Sequence, residues 1–325
     1  MVGCLAASCN DLYLTMKVSP PGSGTIILPT GNPSGPYSAN DPIGITATAY
    51  SPYHFFCWTV VPARTVPPYD FDDATDPTTN YYMAIVNATV TAHFVGPLDH
   101  FTGYLVNGTQ PISEFVYLQD QFGAVNATVG SARGFWNPAQ KWHGNMTTPV
   151  YNPDHHLTVY NITYGGGPHE WGVVVNNQFG TQNFTVRGPV ALAVPTQKVV
   201  PGNHEPPVGL DHFLLYEVIG GQSVNVGVSL QDEFDTAPQQ SQVYYPIYFA
   251  NPVKKIHDGT VTNITNLDTY NHLVVYVLSC KEFAGDVQIV NQFGRQTLHV
   301  YTSCVTEGYK GLVVPSAKLS WQLLQ

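Results

Sequence analysis

From residue 98 onward the chain repeats itself, and this limits what it can fold into more than any other feature. Leu98-Asp99-His100-Phe101 returns as Leu210-Asp211-His212-Phe213, and Val116 to Phe122 (VYLQDQF) returns as Val228 to Phe234 (VSLQDEF). His156-Leu157-Thr158-Val159-Tyr160 matches His272-Leu273-Val274-Val275-Tyr276, and Asn177-Gln178-Phe179-Gly180 matches Asn291-Gln292-Phe293-Gly294. Two tandem units follow, 98–205 and 206–325, and each is itself a duplication. A His opens every half, at His100, His156, His212 and His272. Mid-way stand Asp120, Asn177, Asp232 and Asn291, each followed by Gln or Glu and then Phe. Pro-x-x-Lys closes each half at Lys141, Lys198, Lys255 and Lys318. The period of about 57 residues has room for roughly four strands joined by tight turns.

Composition decides what those elements are. Gly (29), Pro (26) and Tyr (20) are abundant while charged residues are 10% of the chain, the profile of short strands and many turns. No long segment places apolar residues at helical spacing, and repeated Pro and Gly break the candidates. Runs such as Trp171 to Val175 and Leu298 to Tyr301 have the β-branched and aromatic content of strands. The expected class is therefore all-β: a small module followed by two tandem β-sandwich-like domains, each an internal duplication, with both inner faces buried. A net charge of −10 with only 12 Lys and Arg gives no electrostatic footprint for nucleic acid. No apolar run reaches the roughly 18 residues of a membrane-spanning helix, so no transmembrane segment is expected.

Residues 13–97 read as a separate module. Leu12, Leu14, Met16 and Val18 alternate with Tyr13, Thr15 and Lys17, as in a half-buried strand. Then come Pro20-Pro21-Gly22, the turn Gly35-Pro36-Tyr37, the strand Ile43 to Ala49, the cluster Tyr53 to Trp58 and the closing Val90-Thr91-Ala92-His93-Phe94. Over residues 13 to 95 this order resembles the B-repeat-like module of internalin-type prokaryotic surface proteins. The resemblance implies a non-catalytic stalk or spacer. The segment Val60 to Thr79 is an insertion relative to that pattern. The tandem units look like β-domains of unassigned function from prokaryotic surface and extracellular fibre proteins.

Asn-x-Thr sequons occur at Asn87, Asn107, Asn126, Asn145, Asn161, Asn183 and Asn263. Seven among 21 Asn exceeds the roughly three expected by chance, although β-rich composition also raises Thr. They are read as acceptors for covalent glycans, which places the chain outside the cell or at its surface.

Candidates for chemistry are few, and no nucleophile, P-loop or zinc motif is present. The repeat-opening His residues are expected to pack or hydrogen-bond, since an active site rarely recurs in every half-repeat. Asp70, Asp72, Asp73 and Asp76 on the insert could converge oxygen ligands on Ca²⁺; the alternative is a solvated acidic loop. Otherwise no cofactor is expected, and the chain is read as not an enzyme. Lys141, Lys198, Lys255 and Lys318 recur at one repeat position as an Asp or Asn does at another; a Lys beside a carboxylate in a partly buried site is expected to be a structural ion pair, the alternative being an isopeptide bond to Asn or Asp with a neighbouring acid assisting.

Cys280 and Cys304 are expected to form a disulfide across neighbouring strands, closing a loop of some two dozen residues worth roughly 3 kcal/mol. Cys4, Cys9 and Cys57 remain, and an odd count points to a bond between subunits or a free thiol. Residues 1–12 form an apolar tail, read as part of the mature chain and suited to completing a neighbour's sheet. The function expected is a structural subunit of a glycosylated extracellular fibre, sheath or surface layer. It would partner itself as a homopolymer, joined head to tail through residues 1–12. The alternative is an adhesin or carbohydrate-binding ectodomain.

Overall fold

A computed structural model describes residues 11–28, 35–64, 69–202, 204–266, 268–279, 282–302 and 310–324. Among them every regular element is a strand, and the chain divides into two units, Met1–Gly96 and Pro97–Gln325.

The first unit holds β1 (Leu14–Ser19), β2 (Gly24–Ile27), β3 (Pro42–Ala49), β4 (His54–Val61), β5 (Thr78–Tyr82) and β6 (Ala88–Val95). These form two three-stranded sheets, β1-β6-β4 and β2-β3-β5, with β1 parallel to β6. Alternation buries one face of each sheet. Leu14, Trp58, Val90 and Phe94 come from the first sheet and Ile43, Ile45 and Tyr81 from the second, in one core. A Cβ at Gly24 would lie 2.5 Å from Phe94 Cζ, so only glycine lets β2 approach.

The second unit is built from four quarters that follow the sequence period. The first has β7 (Phe101–Asn107), β8 (Phe115–Asp120), β9 (Gly123–Pro138), β10 (Gln140–His143) and β11 (Met146–Thr148). The second has β12 (His156–Tyr164), β13 (His169–Asn177) and β14 (Gly180–Val200). The third has β15 (His212–Ile219), β16 (Val226–Gln231), β17 (Gln239–His257) and β18 (Thr260–Thr262). The fourth has β19 (His272–Leu278), β20 (Ala284–Asn291), β21 (Gly294–Tyr301) and β22 (Lys310–Leu323). Each quarter thus supplies a strand opened by its His, a hairpin, and a long strand ending in Pro-x-x-Lys. In the fourth quarter the long strand is split into β21 and β22.

Two strands per quarter close a ring in chain order: β7-β9-β12-β14-β15-β17-β19-β22, returning to β7, with every neighbour antiparallel. Period-2 alternation sorts its side chains into two cores. Phe101, Trp136, Val159, Ala193, Leu215 and Val275 belong to one that contains no hairpin residue. This is the barrel interior, which eight strands make just wide enough for side chains to fill. Small residues fit it: a Cβ at Gly103 would lie 3.2 Å from Trp136. The intervening Phe135, Leu192, Leu214 and Val274 pack outward against Val116, Val173, Val228 and Val287 of the hairpins.

The all-β class and the order of a B-repeat-like module before two tandem repeats are as the sequence reads. The structure adds that the two repeats share one ring. They join at β14–β15 and at β7–β22, and neither buries its inner face alone. Hairpin strands also cross between repeats, with β8 on β17, β16 on β10, β13 on β22 and β20 on β14. Residues 97–205 expressed alone are therefore expected to be unfolded, or to dimerise and complete the ring. Ultracentrifugation with denaturant unfolding checks this, and a cooperatively folded monomer would contradict it.

Candidate functional site

The repeat marks come together as one polar network, beginning at the hairpin turns. Asp120 faces Gly123, Asn177 faces Gly180 and Asn291 faces Gly294 across two-residue turns, with φ of 142°, 94° and 90° at the glycines. In all four quarters the Oδ1 of the Asp or Asn accepts the backbone N–H two residues on, at 2.8–2.9 Å, an Asx turn. The other side-chain atom reaches a tyrosine four residues after the His of the quarter two places along. Tyr104 donates to Asp232 at 2.6 Å and Tyr216 to Asp120 at 2.8 Å. Asn177 donates to Tyr276 and Asn291 to Tyr160, each at 2.9 Å. Burial pushes all four phenols above their usual range, so they stay protonated.

The histidines and lysines are tied one quarter along. His100 Nε2 lies 3.2 Å from Gln178 Oε1 and 3.0 Å from Lys141 Nζ. His212 Nε2 lies 2.9 Å from Gln292 Oε1, which also accepts from Lys255. Phe135 stacks on His156 and Phe249 on His272, with ring centroids 5.7 Å apart. Burial holds His100, His212 and His272 down to about 3 and Lys141, Lys255 and Lys318 down to about 8. A Lys–carboxylate ion pair is found at Lys198, with Glu233, and the mid-repeat Asp and Asn are not the hydrogen-bond partners of the other three lysines. Those side chains are committed to turns and tyrosines, leaving Lys141 on a histidine, Lys255 on a glutamine and Lys318 on Asn251.

One quarter departs from the pattern. Where the others carry Gln121, Gln178 and Gln292, the third carries Glu233, and Lys198 forms an ion pair with it. His156 Nε2 and His204 Nε2 each lie 2.9 Å from a Glu233 oxygen, and His204 Nδ1 lies 2.9 Å from Asp154 Oδ1. Hydrogen bonds to these two carboxylates raise His204 to about 9. Burial pushes Glu233 up, but bonds from His156, His204 and Lys198 outweigh it and hold it below its usual range. His156, His204 and Glu233 offer three ligand atoms within 4.8 Å of one another. A cation there would displace the Lys198 ammonium, which already neutralises the carboxylate.

The other expected site residues lie apart. Asp70 accepts from Arg64 N, Asp72 from Asn80 and Tyr82, Asp73 from Thr75, and Asp76 from Thr78 N. Each carboxylate is turned to its own loop, so the four do not converge on a Ca²⁺ position. Cys57 is unpaired and half-buried, and burial pushes its thiol to about 11. Cys4, Cys9, Cys280 and Cys304, with the expected disulfide, lie outside the described residues. Asn87, Asn107, Asn126, Asn145, Asn183 and Asn263 are exposed, while Asn161 is half-buried with its Oδ1 3.5 Å from Arg133 Nη1.

Two pH limbs follow. His204, raised to about 9, contributes stability fully present below the unfolded histidine value of about 6.5 and lost as pH rises through 9. Glu233→Gln makes the quarter like the others and should reduce this alkaline loss, leaving the part due to Asp154. His272, held to about 3, contributes stability present above about 6.5 and lost as pH falls toward 3, at about 1.4 kcal/mol per unit. His272→Phe keeps the stack and should make the acid limb shallower, with His100 and His212 still contributing. Thermal midpoints from pH 3 to 10 for wild type and both variants check each sign.

Known families can be set beside this geometry. A family model described as a repeat of unknown function (DUF7450) matches residues 78–165 and 166–306, and the divergent InlB B-repeat domain matches residues 14–96. The first repeat match overlaps the closing strands of the B-repeat domain, whereas the fold divides between Gly96 and Pro97. No curated protein and no solved structure matches the chain. The chain belongs to the DUF7450 repeat family and carries a divergent InlB B-repeat domain, a surface-protein module, ahead of its tandem repeats.

Proposed function

We propose that the chain is a structural subunit of a glycosylated extracellular assembly, a fibre, sheath or surface layer, joined head to tail through residues 1–12. The observation that carries this reading is how the repeat marks are spent. In every quarter the polar side chains bind other quarters of the same barrel, stiffening it rather than lining a cleft for a substrate. The surface-protein module agrees with an extracellular place. No helix among the described residues is long and apolar enough to cross a membrane. The six exposed sequon asparagines supply positions for glycans on the outer surface. The tail supplies an apolar, uncharged stretch from Val2 to Ser8 of the kind that adds to an open sheet.

Negative-stain microscopy of native material should show ordered polymers, and deleting residues 1–12 should leave monomers that a tail peptide restores. Monodisperse full-length particles that bind a glycan array would favour the adhesin reading instead. Peptide mass spectrometry should find glycans at Asn87, Asn107, Asn126, Asn145, Asn183 and Asn263 but not at Asn161, whose side chain is half-buried beside Arg133. Unmodified asparagines throughout would remove the glycoprotein.

A further inference from the structure

Two positions of the repeat alternate together. The mid-repeat residue runs Asp120, Asn177, Asp232, Asn291, and the residue before the closing Pro runs Asn137, Val194, Asn251, Val314. An acid appears only in the quarters that also carry the buried amide. In space Lys318 stands beside the pre-Pro residue of the preceding quarter, Asn251, and near the hairpin-turn acid of the following one, Asp120.

Here Lys318 Nζ donates to Asn251 Oδ1 at 2.9 Å, and Asn251 Nδ2 donates to Asp120 Oδ2 at 2.8 Å. Asn251 is wholly buried, and the lysine lies 4.7 Å from the Phe122 ring centroid and 5.8 Å from that of Phe249. Tyr216 donates to the same Asp120 oxygen at 2.8 Å. The geometry points to an isopeptide bond between Lys318 and Asn251, formed by the chain itself with Asp120 as the proton carrier. Burial lowers Lys318 to about 8 and lifts Asp120 above the usual carboxylate range. Both shifts favour the uncharged amine and the protonated acid that the step needs.

The lone pair of Nζ adds to Cγ of Asn251, and the carbonyl electron pair moves onto Oδ1. Asp120 gives its proton to the departing Nδ2 and takes one from Nζ. The Nζ–Cγ bond is made, the Cγ–Nδ2 bond breaks, and ammonia leaves. An amine and a primary amide become a secondary amide and ammonia, so no oxidant, reductant or co-reactant is consumed.

The test is the intact, reduced and denatured mass of the full chain made without glycans, with a peptide map. One ammonia mass should be missing, and a branched peptide should join Lys318 to Asn251. Asp120→Asn and Lys318→Met should each restore one ammonia while circular dichroism stays unchanged. Asn251→Asp should still cross-link by losing water, giving the wild-type final mass. The map matters because a cyclised Asn107-Gly108 also loses ammonia; loss without the branched peptide overturns the bond, and so does an unaltered mass.

Discussion

The link from each hairpin tip to a tyrosine two quarters away is the constraint on which the barrel depends. An Asx turn fixes the tip through one side-chain atom, and the other atom is bound to a ring strand of the other repeat. Asp120 cannot meet Tyr216 unless β8 and β15 are both in register, and a slip of one residue would turn the tyrosine to the opposite face. The four links therefore set register between segments 96 to 131 residues apart in sequence. Because they lie in a desolvated layer, an unmade link leaves a buried polar group unsatisfied, which penalises alternative pairings more than the bond itself stabilises the right one.

The period of the quarters was legible because the turn chemistry is local. Asp-Gln-Phe-Gly and Asn-Gln-Phe-Gly each specify an Asx turn without help from the rest of the fold. Ring closure was not legible, since β7–β22 pairing joins residues at the two extremes of the unit and composition says nothing of which edges meet. Other signals were present but unread. Tyr104, Tyr160, Tyr216 and Tyr276 stand at the same distance after each opening His, and Glu233 is the one acid where three quarters carry Gln. His204 stands in no recognisable motif, because its partners Asp154 and Glu233 come from distant parts of the chain.

The longer, two-quarter period also has a physical origin. In the second and fourth quarters the Asn of the turn has a second donor hydrogen, taken up by Ser316 for Asn177 and by Thr196 for Asn291, at 3.0 and 3.2 Å. The first and third quarters have Ala139 and Val253 at those positions, and their Asp needs no such acceptor. Two solutions to the same satisfaction problem thus alternate round the ring, and each fixes residues in quarters that face each other.

Ring closure has a mechanical consequence. The first and last ring strands are neighbours, with Phe101 opposite Val313 and Gly103 opposite Gly311. A pull separating the leading end of β7 from the trailing end of β22 would act on those pairs one after another, as in unzipping, rather than shearing them together. Lys318 sits just beyond the paired segment of β22. Bonded to Asn251, it hands the tension to β17 across a covalent bridge, and residues 252–317 drop out of the length the barrel can let out under load.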